Sequence, residues 1–343
     1  SGGDGVAAGP SPPRPRVRPP TPPVLPFFLH RVVQAALVLV LVSFVGFAIT
    51  LAAPGNAMQT FIDPGISVED LRAAEERLGL DRPVPVQYLS WLREVLTGNL
   101  GFSSRTGAPV ADLIGARIGP TLTLMGTAFL ISLALALWLG TMTAARPYSL
   151  LDYGVTGLAF AGISVPSFFS AMALIYVFSL QLGWLPTSGL ESYAAEYEGW
   201  RRLVDRAEHL VLPVAVLVLT GTAELVRHVR GAVVETLQED YVRTARGKGV
   251  PDGRVLRRHA LRNGLLPVIT LVGVALPRLL AGSVVIEVVF AWPGMGRLLV
   301  ESVFARDVPV AMSINLIAAT LVLMGSLLAD MAYAVVDPRV RYG

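Results

Sequence analysis

Uncharged apolar runs alternate with short charged segments along most of this chain. Residues 32–51 carry no charge, and a run of about 20 residues is what a helix rising 1.5 Å per residue needs to cross roughly 30 Å of hydrocarbon. Five further runs meet the same test, at 122–143, 153–182, 210–225, 265–290 and 310–336. The pattern predicts an all-α integral membrane protein with about six transmembrane helices, and an even number puts both termini on one side. Pro166 and Pro277 fall inside the third and fifth runs, where a missing N–H predicts kinks. The fourth run is short and ends at Glu224 and Arg227. A cleaved signal peptide competes for the first run, because Arg31 precedes it and Ala52 and Ala53 follow. The run is longer than a usual signal core, however, and further spans come after it.

Composition agrees with that reading: 53% of residues are apolar and 15% charged, with a mean hydropathy of +0.59. The absence of cysteine excludes disulfides, cysteine-ligated metals and thiol chemistry, and 4 histidines leave little for a metal cluster. A net charge of +3 and a pI near 9.4 do not signal nucleic acid, because the cations lie between apolar spans and form no single basic face. They set orientation instead. Residues 227–262 contain Arg227, Arg230, Arg243, Arg246, Lys248, Arg254, Arg257, Arg258 and Arg262, so this segment is expected in the cytoplasm. The N-terminal arginines, Arg146, and Arg339 with Arg341 then fall on the same side. Arg201, Arg202 and Arg206 run against the rule.

The chain divides into a disordered Pro-rich tail (1–26), a first transmembrane helix (27–53), an external helical cap (54–121) and a core (122–343). The tail has too little apolar surface to order itself. Within the cap, Ser67 and Asp70 have capping spacing before Leu71, Ala74 and Leu78, with Gly79 as a stop. A second cap helix is expected over 84–96, bearing Tyr88 and Trp91. Anchoring of these two rings at the membrane interface is the competing reading.

Residues 227–262 are too long for a connection and too patterned for disorder. Ala232, Val233, Leu237 and Tyr241 have helical spacing, Gly247, Gly249, Pro251 and Gly253 break it, and Val255, Leu256, Ala260 and Leu261 resume it. Helix, sharp turn, helix is expected. Such a basic projection suits docking of a partner protein, with adsorption to anionic lipid as the alternative. Arg246-Gly247-Lys248-Gly249 is no phosphate-binding loop, lacking the upstream strand and the Ser or Thr that should follow. No nucleophile elbow, H-E-x-x-H or paired-histidine motif occurs.

The run from Asp240 to Gly249 (DYVRTARGKG), with Arg257-Arg258-His259-Ala260-Leu261-Arg262-Asn263 and Pro267, resembles the cytoplasmic signature of binding-protein-dependent ABC permeases of the dipeptide and oligopeptide family. Arg243-Thr244-Ala245 stands where the wider family has E-A-A, a usual substitution in peptide permeases. Further matches span almost the whole chain after the tail: Gly98-Asn99-Leu100-Gly101, Ser164-Val165-Pro166-Ser167-Phe168, GWLPTSG at 183–189, FAWPGMGRL at 290–298, Arg306-Asp307-Val308-Pro309 and DPRVRY at 337–342. Asn99 and Val308 depart from the usual Asp and Tyr.

The resemblance implies a type I ABC importer permease fold in the bacterial cytoplasmic membrane. It implies a homologous second permease, two cytoplasmic ATPase subunits and an extracytoplasmic substrate-binding protein as partners. ATP and Mg would be bound by the ATPase subunits, with no cofactor on this chain and no catalysis by it. Tyr241, Arg243, Thr244, Ala245, Gly247, Lys248, Gly249, His259 and Arg262 become the ATPase-coupling candidates: the glycines give freedom for a turn, Ala245 allows close approach, and the cations can meet acidic partners. Charge inside a span is costly, so Arg278, Glu287 and Asp330 should face the bundle interior or a watery path, or form internal ion pairs. Ser164 and Pro166 join them as pathway or gate candidates. Import of di- or oligopeptides by alternating access is the expected function. Nickel or glutathione import is the alternative within the family. An ion-coupled secondary carrier is the alternative outside it, and would call for internal repeats not visible here. A scaffold or receptor would bind no ATPase.

Overall fold

The computed structural model describes residues 24–52, 82–192, 197–264 and 283–336. Among these it is helical throughout, apart from one isolated antiparallel bridge between Phe102 and Pro109. The helices are α1 (Val24–Ala52), α2 (Val84–Leu96), α3 (Val110–Ala145), α4 (Leu150–Ser164) and α5 (Ser167–Leu174), which continues as a π-helix over Ile175–Gln181. After them come α6 (Trp200–Leu237), α7 (Asp240–Gly247), α8 (Asp252–Arg254), a π-turn at Val255–Ala260, α9 (Leu261–Gly264), α10 (Val284–Val289), α11 (Met295–Phe304) and α12 (Val308–Val336).

Four helices among the described residues, α1, α3, α6 and α12, are long and apolar enough to cross a membrane, and the bent pair α4–α5 makes a fifth if it counts as one span. Most of the expected fifth run, 265–290, lies outside the described residues, as do the tail and the first cap helix. Two expectations need correction. α3 starts at Val110, not near 122, and α6 runs from Trp200 to Leu237, far beyond 210–225 at both ends. Hydropathy marks the lipid-buried stretch of a helix, while its i→i−4 ladder continues into water through polar residues such as Asp112 and Arg117. The third run is no straight crossing: α4 and α5 meet at 99°. Pro166 has no N–H to donate, and its ring holds Val165 in an extended conformation (φ −86°, ψ 124°).

Within a bilayer, helices gain little from hiding apolar surface from one another, so close packing through small residues carries the contact. α3 and α6 form the central pair, with Ala136 and Ala144 against Val226, Val229 and Val233. At their crossing, a Cβ on Gly140 would lie 2.8 Å from the Val229 side chain. α4 approaches α6 in the same way, a Cβ on Gly162 falling 3.1 Å from the Leu219 carbonyl oxygen. Leu124, Leu212, Val216, Ile286, Phe290 and Trp292 build a second core that joins α3, α6 and α10.

α1 stands largely apart, with only Ser43 of its described side chains buried. Its N-terminal turns share a cleft with Leu323, Ser326 and Leu327 of α12. α2 lies on its later turns: the Tyr88 and Ser43 hydroxyls are 2.7 Å apart, and Tyr88 meets Phe44 edge to face at 5.2 Å. Tyr88 is therefore 6% exposed and fastens α2 to α1.

Candidate functional site

The segment after α6 is built by its own small core. Val242 and Val255 are fully buried and Ala245 is 8% exposed, with Leu237 and Val250 packed around them. One face of α7 is thereby nailed to the bundle. The opposite face presents Tyr241, Arg243, Thr244, Arg246, Gly247 and Lys248 to solvent. α7 is separate from α6, not its continuation: the chain breaks at Gln238–Glu239 and restarts at Asp240.

The stop of α7 is a Schellman motif. Gly249 N–H donates to the Arg246 carbonyl (2.9 Å) and Val250 N–H to the Ala245 carbonyl (3.2 Å), while the Val250 side chain joins the apolar cluster below. This requires the left-handed conformation that Gly249 adopts, φ +77°. Arg246 Nε donates to Asp252 Oδ1 at 3.1 Å and braces the turn. Gly247 is an ordinary helical residue in open space, so the left-handed position of the turn is Gly249. Ala245 packs inward with Val242 and Val255. The backbones of His259 and Arg262 lie in the π-turn and α9; their side chains are outside what the structure describes.

At the other end of the bundle, Glu287 of α10 is fully buried. Its carboxylate accepts from Thr121 Oγ1 (2.8 Å) and from Arg297 N–H (3.0 Å). Thr121 Oγ1 in turn accepts from Met295 N–H at 2.8 Å, and the Trp292 indole donates to the Pro120 carbonyl at 3.0 Å. The loop wraps so tightly that a Cβ on Gly294 would overlap the Glu287 carboxyl group, and one on Gly296 would fall 2.8 Å from Val284 Cα. Glu287 is thus enclosed by the 292–297 loop and the Thr121 turn of α3. It serves as the knot that ties α10, α11 and the Pro120 turn of α3 together.

Of the other pathway candidates, Ser164 ends α4 and Pro166 precedes α5, both exposed beside the bend. Arg278 lies outside the described residues. Asp330 is on α12, its side chain likewise undescribed.

Three polar contacts escaped the sequence reading. Asp152 and Arg230 form a bidentate ion pair, with both N–O distances 2.7 Å. Ser103 Oγ and Ser104 N–H both donate to Asp307, clipping the 101–109 hairpin to the turn before α12. Glu191 accepts from Arg202 Nε (2.9 Å) and Arg206 Nε (3.0 Å), so two of the three arginines that run against the charge rule share one carboxylate. These bonds, Arg202 first, hold the Glu191 carboxyl down to about 2. Because its folded value lies below the ordinary 4.5, whatever this clasp contributes is complete above that pH and fades as pH falls towards 2. The only sequence signal for any of the three is the Ser149-x-x-Asp152 spacing, a helix-start pattern that the structure realises, with Ser149 Oγ accepting from Asp152 N–H.

An all-helical membrane bundle that carries a rigid, cation-studded helix and turn at one end is the build of a transporter's membrane component. Residues 136–342 match the family described as binding-protein-dependent transport system inner membrane component, and residues 24–124 match its N-terminal membrane component family. The chain belongs to this family and is a multi-pass protein of the cytoplasmic membrane. It is 43% identical over 317 residues to the oligopeptide transport system permease protein AppB of Bacillus subtilis (strain 168), covering 92% of this chain and 99% of that one. A putative peptide permease protein of Brucella suis biovar 1 (strain 1330) is 40% identical over 321 residues, covering 93% and 99%. A probable peptide ABC transporter permease protein, y4tP of Sinorhizobium fredii (strain NBRC 101917 / NGR234), is 34% identical over 316 residues, covering 92% and 99%. The fold is similar to that in a crystal structure of an amino acid ABC transporter with histidines, at a TM-score of 0.50 and 15% identity, covering 65% of this chain and 94% of that one.

Proposed function

We propose that this chain is the membrane-spanning subunit of an ATP-driven importer of di- and oligopeptides, working by alternating access. The observation that carries this is the end-to-end match to proteins named as peptide permeases. ATP and Mg are handled by two separate ATPase subunits. A homologous permease completes the pathway, and an extracytoplasmic binding protein delivers substrate. Tyr241, Arg243, Thr244 and Lys248, exposed on α7 and its stop, form the contact with an ATPase subunit, and His259 and Arg262 are further candidates for it. Arg278, Asp330, Ser164 and Pro166 line or gate the path.

Reconstitution in vesicles tests this. The chain, its genomic neighbours and the binding protein should together give ATP-dependent peptide uptake. Uptake driven by an ion gradient without ATPase subunits would overturn the reading, and competition by nickel or glutathione would redirect the cargo.

The six-span reading of the sequence, with the charge rule, puts the N-terminus, the α7–α9 segment and the C-terminus in the cytoplasm. In support, the N-terminal turns of α1 lie beside the later turns of α12, while the start of α12 lies beside the 101–109 hairpin before α3. The chain has no cysteine, so Arg254→Cys, at an exposed site, gives a clean probe. An impermeant maleimide should label it in inside-out vesicles and not in intact cells; labelling from outside refutes this orientation.

A further inference from the structure

We propose that the Asp152–Arg230 pair is the transmission joint of the permease, tying the helix that leads into α7 to the first half of the broken span. The inference rests on the reading of the chain as an ATP-driven importer subunit. Arg230 stands about two turns before the end of α6, which passes through a short break into α7. Asp152 sits in the first turn of α4, whose far end is the bend at Val165–Pro166. The pair therefore gives a shift of α7 a direct polar link to α4.

The geometry makes the joint stiff. Arg230 Nε meets Asp152 Oδ1 and Nη2 meets Oδ2, each at 2.7 Å, a planar fork that resists rotation as well as separation. Asp152 is 3% exposed, and a buried carboxylate stripped of its partner is costly, which opposes slippage. Oδ2 also accepts from Tyr148 N–H at 2.9 Å, with Tyr148 held at φ +62°, and Ser149 caps the same turn. The 146–149 turn, the start of α4 and Arg230 thus form one unit. Farther along, α4 meets α6 through Gly162, where a Cβ would fall 3.1 Å from the Leu219 carbonyl oxygen and 4.0 Å from the small Ala223 side chain. A polar lock at one end and a smooth contact towards the other let α4 pivot about Asp152, so that the bend moves most.

The test uses the complete transporter in vesicles, scoring assembled complex, binding-protein-stimulated ATP hydrolysis and peptide taken up per ATP. Asp152→Asn keeps the shape and loses the charge. It should assemble and hydrolyse ATP within about twofold of the parent while uptake per ATP falls on the order of tenfold, as expected on losing a charge-assisted pair. Arg230→Gln should behave alike, and Arg230→Lys should recover part of the coupling because charge is kept and the fork lost. Unchanged uptake per ATP in Asp152→Asn overturns the joint. So does a parallel loss of complex, hydrolysis and uptake with Arg230→Lys no better than Arg230→Gln, since that is the mark of a merely structural staple. If the parent protein shows no ATP-dependent uptake, the importer reading falls and takes the joint with it.

Discussion

Gly294→Ala should leave little folded permease in the membrane. The backbone at Gly294 is not the difficulty, since φ is −104° and any residue tolerates that. The obstacle is space, because the new methyl group would overlap the Glu287 carboxyl group. Overpacking a tight interior costs about 1–3 kcal/mol, and moving the carboxyl group off Thr121 and Arg297 N–H adds about 1–3 kcal/mol for a buried polar group left unsatisfied. Together these consume a large share of a typical domain's roughly 5–15 kcal/mol. Yield of monodisperse protein in detergent and its melting temperature are the measurements. Gly126→Ala, where a Cβ meets nothing within 4 Å, is the matched control and should be neutral. A Gly294→Ala protein that melts with the parent would show that the Glu287 knot contributes little.

Gly249→Val should produce the opposite phenotype: normal insertion with failed transport. A β-branched residue at φ +77° is strained by about 1–3 kcal/mol, and the turn can relieve that strain by giving up the Val250 to Ala245 bond. α7 would then lose its fixed angle to the bundle while the spans stay intact. Peptide uptake should fall roughly tenfold or more, the equivalent of about 1.4 kcal/mol of that strain. Gly247→Ala, two residues earlier in the same motif, is helical and unobstructed and should transport normally. Equal uptake by Gly249→Val and the parent, with equal assembly, would detach this turn from coupling.

The contrast between these two glycines shows what is legible in a sequence of this kind. The apolar runs, the Pro166 break and the helix-turn-helix of the basic segment all follow from local composition, because lipid demands uncharged length and a proline interrupts the ladder wherever it stands. Which glycine bends the chain does not follow, since Gly247 and Gly249 differ only in register against Ala245 and Val250. Helix ends are equally hidden, as α6 shows by continuing from Leu225 to Leu237 through charged residues that satisfy water as well as they satisfy a helix. The polar locks are hidden more deeply. Asp152 and Arg230 lie 78 residues apart, Thr121 and Glu287 166, and Ser103 and Asp307 204, so no window along the chain contains both members of any pair. The cost of a carboxylate within an apolar run singles out Glu287 from sequence, but composition says nothing about which groups surround it.

The bend between α4 and α5 also bears on how cells make this protein. Each half of the broken span is too short to cross the hydrocarbon alone, and Pro166 brings no N–H for the Gly162 carbonyl, within a stretch exposed on the isolated chain from Ile163 to Pro166. Lipid offers no hydrogen bonds to interrupted backbone, so this surface is tolerated only where protein or water covers it. A newly synthesised copy without its companion helices therefore presents a flaw at membrane depth. Covering that surface during synthesis therefore falls to whatever packs against the bend.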